Sequence, residues 1–269
     1  MIIDFHTHIF PDKIATQTID ALSKNASIVA HSDGTLDTLL SKMERAGVDI
    51  SVNLPVLTRA TQFDSVTRFA SETNQKCYTG PRVISFAGMH PDIENYEERL
   101  EAIKSLGFLG IKLHPDYQGT FFDDQRYINI LKYAKKLDLI TVTHAGFDGA
   151  FVGQEIKCTP KRALRVLDAL GGYDKLVFAH MGANELFDEA YMELAGEDVY
   201  FDTSYVLLSI GEKMFKKILE KHGEDKILFA TDNPWQDAGT QLEIIKSYGL
   251  GEVAENKILC ENAKKLLNL

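Results

Sequence analysis

Cysteine is scarce: Cys77, Cys158 and Cys260 are the only three, widely spaced and with no CxxC pair. That pattern excludes a disulfide framework and fits reduced thiols in a cytoplasmic protein. No apolar run approaches the ~18 residues that a membrane span requires. The N-terminal MIIDFHTH lacks a basic stretch followed by an apolar one, so no secretory leader is expected. Basic residues are outnumbered, with 29 Lys and Arg against 39 Asp and Glu and a formal charge of −10. Such a chain lacks the basic surface that carries affinity for nucleic acid or anionic membranes. No GxGxxG follows any expected strand, which speaks against a dinucleotide-binding open sheet. Linkers rich in Pro, Gly or Ser and low-complexity tracts are also missing. The expectation is a soluble, cytoplasmic chain that meets a small-molecule substrate rather than nucleic acid or membrane. A homodimer is the default assembly.

What is present is ordinary in composition, with 45% hydrophobic and 25% charged residues, and regular in pattern. Short runs rich in Val, Ile and Phe recur at Ile2–His6, Val48–Pro55, Arg82–Met89, Phe108–Leu113, Leu139–His144, Lys175–His180, Val199–Thr203 and Lys226–Thr231. Buried parallel strands read this way. Stretches of helical periodicity lie between them. Leu36, Leu39, Leu40, Met43 and Ala46 form one stripe, stopped by Gly47; Asn129–Leu137 forms another. Lys161–Leu170 opens at Thr159-Pro160 and stops at Gly171-Gly172, a cap followed by proline at the first helical position. Strict β-then-α order implies a mainly parallel sheet. Eight repeats of about 34 residues fit a (β/α)8 barrel. The fold class expected is thus α/β, a single TIM barrel occupying 1–269 as one domain, with an extra C-terminal helix ending in Asn262–Leu267. The stretch from Pro11 to Gly34 is read as a long loop capping the barrel mouth.

In such barrels the chemistry sits at the C-terminal ends of the strands. Six of the eight histidines fall there: His6, His8, His90, His114, His144 and His180, while His31 and His222 lie elsewhere. Asp232 closes the last run. Imidazoles and a carboxylate are the ligand set of Zn²⁺ and related divalent ions. His6 and His8, two apart on a strand, share the inward face. By the same alternation Asp4 shares it one pleat deeper, as a partner for a metal-bound imidazole or a member of a barrel layer. Lys112 sits one pleat below His114.

These residues resemble the amidohydrolase superfamily, and most closely the amidohydrolase-2 branch that includes aminocarboxymuconate-semialdehyde decarboxylase. The resemblance rests on IDFHTHIFP at 3–11, MERAGVD at 43–49, GFLGIKLHPDYQG at 107–119, VTHAG at 142–146, FAHMGA at 178–183, ILFATDNPW at 227–235 and ENAKKLL at 261–267, in family order. It implies one divalent ion at the barrel mouth, Zn²⁺ first, with Mn²⁺ or Fe²⁺ and a second metal left open. It also implies His6, His8, His144 and Asp232 as ligands. His180, together with Asp232, is implied as acid–base catalyst on a metal-bound water that attacks a C–N or C–O acyl bond. The same branch allows a non-oxidative decarboxylase of a small aromatic or dienoic acid. A barrel that binds metal or ligand without turnover is the third reading.

Other positions stay open at this level. Lys112 is either the carboxylated lysine of binuclear members or a barrel lysine paired with an inward carboxylate such as Asp4. His114 and His90 are each held extended by the proline that follows; His114 is read as a substrate contact or support or as structural, and His90 as structural first with a place near the substrate as the alternative. Arg59, Tyr117, Gln118, Phe147, Tyr205 and Trp235 follow strand ends; Arg59 is the best-placed cation for a substrate carboxylate, with a solvated loop arginine as the simpler reading.

Overall fold

The computed structural model describes residues 1–269. Its strands are β1 (Ile3–Thr7), β2 (Ile50–Asn53), β3 (Arg82–Ser85), β4 (Ala87–Gly88), β5 (Gly110–Leu113), β6 (Ile140–Thr143), β7 (Leu176–Phe178), β8 (Tyr200–Asp202) and β9 (Ile227–Leu228). All neighbouring pairs are parallel. The run 82–89 breaks at Phe86, so β3 pairs with β2 and β4 with β5. The Phe86 N–H still donates to Asn53 O, which makes β3 and β4 two halves of one stave. The first and last strands meet through Phe5 N to Phe229 O at 2.9 Å, Asp232 N to His6 O at 2.8 Å and His8 N to Asn233 O at 2.7 Å. Eight staves thus close a (β/α)8 barrel, each strand shorter than its apolar run.

The helices are α1 (Asp12–Ala26), α2 (Leu36–Ala46), α3 (Phe63–Asn74), α4 (Tyr96–Ser105), α5 (Gln125–Lys136), α6 (Pro160–Leu170), α7 (Phe187–Glu189), α8 (Gly211–His222), α9 (Ala238–Ser247), α10 (Glu252–Asn256) and α11 (Asn262–Leu267). Their ends follow the local chemistry. The Thr35 hydroxyl accepts from Thr38 N at the start of α2, and Gly47 ends it in the left-handed region at φ 72°. Thr159 and Gly171 do the same for α6. Of the stretch Pro11–Gly34, read as a loop over the barrel mouth, the larger part is the fifteen-residue α1, and residues of this stretch do border the cavity there. Ala15 and Ile19 anchor it, both buried.

The barrel holds two apolar layers. An outer one lies between staves and helices, with Ile111, Leu113, Phe178, Phe201, Ile227 and Phe229 among its members. An inner one fills the lower barrel with Ile3, Phe5, Ile50, Val52, Phe86, Ile140, Val142, Val177, Tyr200, Leu228 and Ala230, and α11 joins it through Ala263, Leu266 and Leu267. Phe86 fits because the facing residue is Gly110: a β-carbon there would meet the Phe86 ring and Ile140 O, each at 2.5 Å.

Strand β1 carries the local irregularity that matters most. Asp4 pairs with Ser51 but Thr7 with Asn53, so three steps along β1 match two along β2. This is a β-bulge. Below it Ile3 and Phe5 point into the barrel; above it His6 and His8 do. Asp4 therefore does not share the inward face of His6. It points outward, accepting from Thr231 Oγ1 at 2.6 Å and Thr231 N at 3.0 Å. Burial raises its carboxyl to about 7.

Candidate metal centre and cavity

The strand ends open into a cavity of about 470 Å³. At its floor, His6 Nε2 and His8 Nε2 lie 3.2 Å apart. Asp232 Oδ1 lies 3.0 Å from His8 Nε2 and 3.5 Å from His6 Nε2. The far ring atoms fix the tautomers. His8 Nδ1 donates to Leu54 O at 2.8 Å, and His6 Nδ1 donates to Asp202 Oδ2 at 2.8 Å. A carbonyl or carboxylate only accepts, so in the neutral rings both Nε2 atoms carry lone pairs. Lys112 Nζ, 3.0 Å from His6 Nε2, offsets one of these lone pairs, but the His8 Nε2 lone pair and the Asp232 oxygen, 3.0 Å apart, repel one another unless a cation lies between them. Around an ion with bonds of about 2.0–2.1 Å, neighbouring ligand atoms sit roughly 2.9–3.4 Å apart. The donor set fits a divalent cation in both chemistry and spacing.

Asp202 and Ser204 support this floor, and neither stands out in the sequence. Besides His6, Asp202 accepts from His180 N, Ser204 N and the Ser204 hydroxyl. Burial would raise its carboxyl, but the neighbouring His6 and these bonds hold it below the usual carboxylate range. The Ser204 hydroxyl lies 3.0 Å from His6 Nδ1 and 2.9 Å from His180 Nδ1, tying the two rings together. Burial opposes ionisation of Asp232 too, and the His6 and His8 imidazoles overcome it, leaving its pKa lowered. Burial lowers His6 to about 4.

A second tautomer chain runs through His180 and His144. His180 Nδ1 donates to Ser204 O at 2.9 Å, so its Nε2 accepts from His144 Nδ1, 2.9 Å away. His144 Nε2 is then a buried lone pair without a partner; Asp116 Oδ2, 3.9 Å off, is also unpartnered. His114 stacks on His144 with ring centroids 4.1 Å apart and an angle of 7°. Its Nε2 faces Asp148 Oδ2 at 3.5 Å. Of the expected ligands, His6, His8 and Asp232 converge; His144 groups instead with His114 and Asp148.

Lys112 is buried, and its Nζ sits 3.0 Å from His6 Nε2. Burial lowers it to about 8. With Asp4 turned outward, the expected Lys112–Asp4 pairing does not form. His114, Tyr117, Phe147, Tyr205 and Trp235 all line the cavity. Arg59, His90 and Gln118 do not. Arg59 is exposed where the chain turns outward before α3. His90 is buried with Nδ1 accepting from Asp92 N. Gln118 spends its amide on Leu57 O, Met89 O, Tyr127 Oη and His114 N. The two residues that close the site are held in an uncommon backbone state, His180 at φ 63° and Asp232 at φ 65°. Non-glycine residues take up such angles mainly where surrounding bonds impose them, often at functional sites.

Solved structures share this architecture. One is a dihydroxybenzoic acid decarboxylase from Polaromonas sp. JS666 with bound manganese and 2-nitroresorcinol, with a TM-score of 0.70, 18% identity, and 100% of this chain and 97% of that one covered. A 2,6-dihydroxybenzoate decarboxylase from Rhizobium gives 0.68, 17%, 99% and 98%. A probable 2-pyrone-4,6-dicarboxylic acid hydrolase from Acinetobacter baumannii with citric acid bound gives 0.70, 15%, 100% and 99%. At these identities the likeness shows the fold alone. A search of curated proteins finds no match. The family itself is shown by sequence: the amidohydrolase model of the amidohydrolase-2 type matches residues 3–269, from the bulged strand through Asp232 to the closing helix, and the chain belongs to that family.

Proposed function

We propose that this protein is a metal-dependent hydrolase that cleaves a C–N or C–O acyl bond of a small molecule. The observation that carries the reading is the convergence of His6 Nε2, His8 Nε2 and Asp232 Oδ1 within 3.0–3.5 Å, with both Nδ1 atoms committed elsewhere. These three hold the ion; His144, the fourth ligand that the family resemblance implies, directs its unpartnered Nε2 toward His114, Asp148 and Asp116 and would have to turn its ring to join them. Zn²⁺ suits the set, and Mn²⁺ or Fe²⁺ uses the same donors. Such an ion supplies Lewis acidity and brings the pKa of water near 7. Asp232, kept ionised, takes the proton of the attacking water. That proton passes to the leaving group by way of His180, oriented by Ser204, whose Nε2 gives up its hydrogen bond from His144 Nδ1 to receive it. Lys112 and His114 flank the reacting carbonyl, and Trp235 borders the substrate.

Non-oxidative decarboxylation is the second reading. It is favoured by the largely apolar cavity, which suits loss of a carboxylate from a desolvated acid, and by the decarboxylases among the similar structures. Here His180, protonated at Nε2 from solvent, delivers that proton to the carbon that loses CO2. Two measurements decide. His6→Ala and Asp232→Ala are expected to lose metal, read by mass spectrometry, together with activity; full occupancy in both variants sinks the ligand assignment. A panel of acyl compounds and aromatic or dienoic acids in ¹⁸O-water then separates the reactions. Label in the acid product marks hydrolysis, CO2 release with an unlabelled organic product marks decarboxylation, and metal uptake without turnover leaves a binding barrel.

A further inference from the structure

The cavity is not uniform. Its charged lining side chains, Lys112, Asp148 and Asp232, all belong to the histidine end. The other end is a groove between α1 and α3, with Ile14, Thr18 and Leu22 on one side and Val66 and Phe69 on the other. Ile14, Thr18 and Leu22 are four apart and so share a face of α1. That face is not needed to hold the helix, because Ala15 and Ile19 on the adjoining face are buried already. The groove side chains are left partly or largely exposed, Ile14 at 48%. No arginine lines the cavity, and Arg59 lies outside it.

We infer that the substrate is amphipathic, with a single acidic or acyl head at the histidine end and an uncharged apolar tail lying in the groove between α1 and α3. The inference rests on the proposed metal-dependent reading for the head, whereas the tail depends on the groove alone. A second carboxylate at the tail end meets no cation and loses its hydration, which disfavours dicarboxylates. Each methylene added to the tail removes apolar surface from water on both partners.

Trp235, the only tryptophan, lines the same cavity and reports occupancy by its fluorescence without turnover. The test titrates 4-n-alkylbenzoates, from methyl to hexyl, into Mn²⁺-loaded and metal-free protein, followed by calorimetry and by Trp235 emission. The dissociation constant is expected to fall about fourfold per methylene over the first members. The dependence on length persists without metal, at lower overall affinity. Leu22→Asp, at a partly exposed position, is expected to flatten the series to under about twofold per methylene while the melting temperature is retained. A flat series in the unaltered protein, no binding by any member, or tighter binding of benzene-1,4-dicarboxylate than of 4-propylbenzoate overturns the inference. Failure of the metal reading shows separately, as a protein that takes up no metal yet keeps the dependence on length.

Discussion

At the scale of single residues, the site depends on where protons sit. Leu54 O and Asp202 keep the His8 and His6 protons on Nδ1, so the Nε2 pair offers lone pairs to the proposed ion. Asp202→Asn keeps the shape of the side chain but removes the charge that orients His6. Metal affinity is expected to fall about 10–100-fold, the usual effect of losing such a support. Competition with a chelator measures it, and an unchanged affinity excludes Asp202 from the support. A different histidine makes a prediction about stability. His222 lies flat on Phe201 with centroids 3.9 Å apart, and burial lowers its pKa to about 4. The unfolded chain binds the proton near 6.5, the folded chain only near 4. Stability is therefore complete above 6.5 and declines as pH falls from 6.5 to 4, by about 3 kcal/mol for this group. His222→Gln retains an acceptor for Gly196 N–H, now met by Nδ1 at 3.2 Å. Denaturant titrations at pH 7 and 4.5 are expected to show a smaller acid loss in the variant. Parallel losses place the sensitivity elsewhere. None of the support from Asp202 and Ser204 is legible in the sequence, because they stand almost 200 residues from His6 and meet it only after the barrel closes. The His6-Thr-His8 pair is legible, because its geometry is local.

At the scale of elements, the strands and the capped helices α2 and α6 read directly, since apolar runs, Thr caps and Gly stops act within a few residues. Helix α1 does not. Its apolar residues, Ile14, Ala15, Ile19 and Leu22, are diluted by Asp, Lys, Thr and Gln, and only the barrel rim and the cavity give its two faces a purpose. Arg59 is the solvated loop arginine of its two readings: it follows a strand end in sequence, but the backbone carries it outward. Gly110 shows how an element tolerates no change at one point. Gly110→Ala places a β-carbon 2.5 Å from both Ile140 O and the Phe86 ring. The expected cost is about 1–3 kcal/mol, read from thermal or denaturant unfolding. Phe86→Leu in the same chain should recover only part, because the Ile140 carbonyl cannot move away. Full recovery means the ring alone was responsible.

At the scale of the molecule, the eight-fold β–α repeat and the ring of histidines at the strand ends were both legible, because a parallel barrel brings every strand end to one rim. The facing of the first strand was not, because a bulge is a property of two strands. The lower barrel is closed by α11, whose Leu266 and Leu267 are buried in the inner layer. Leu266→Ala and Leu267→Ala are each expected to cost about 2–5 kcal/mol in unfolding, with metal affinity unchanged in the folded protein. A coupled loss of metal refutes that separation. The same separation has its origin in β1. The extra residue between Asp4 and Thr7 acts as a phase shift in the strand, so two successive positions, Phe5 and His6, look inward where ordinary alternation allows one. Deleting one residue there would return the strand to a single phase and swing either the aromatic filler or the imidazole pair to the outside. The first strand is thus two strands spliced end to end, one written for packing and one for ligands, and each half can change its side chains without turning the other.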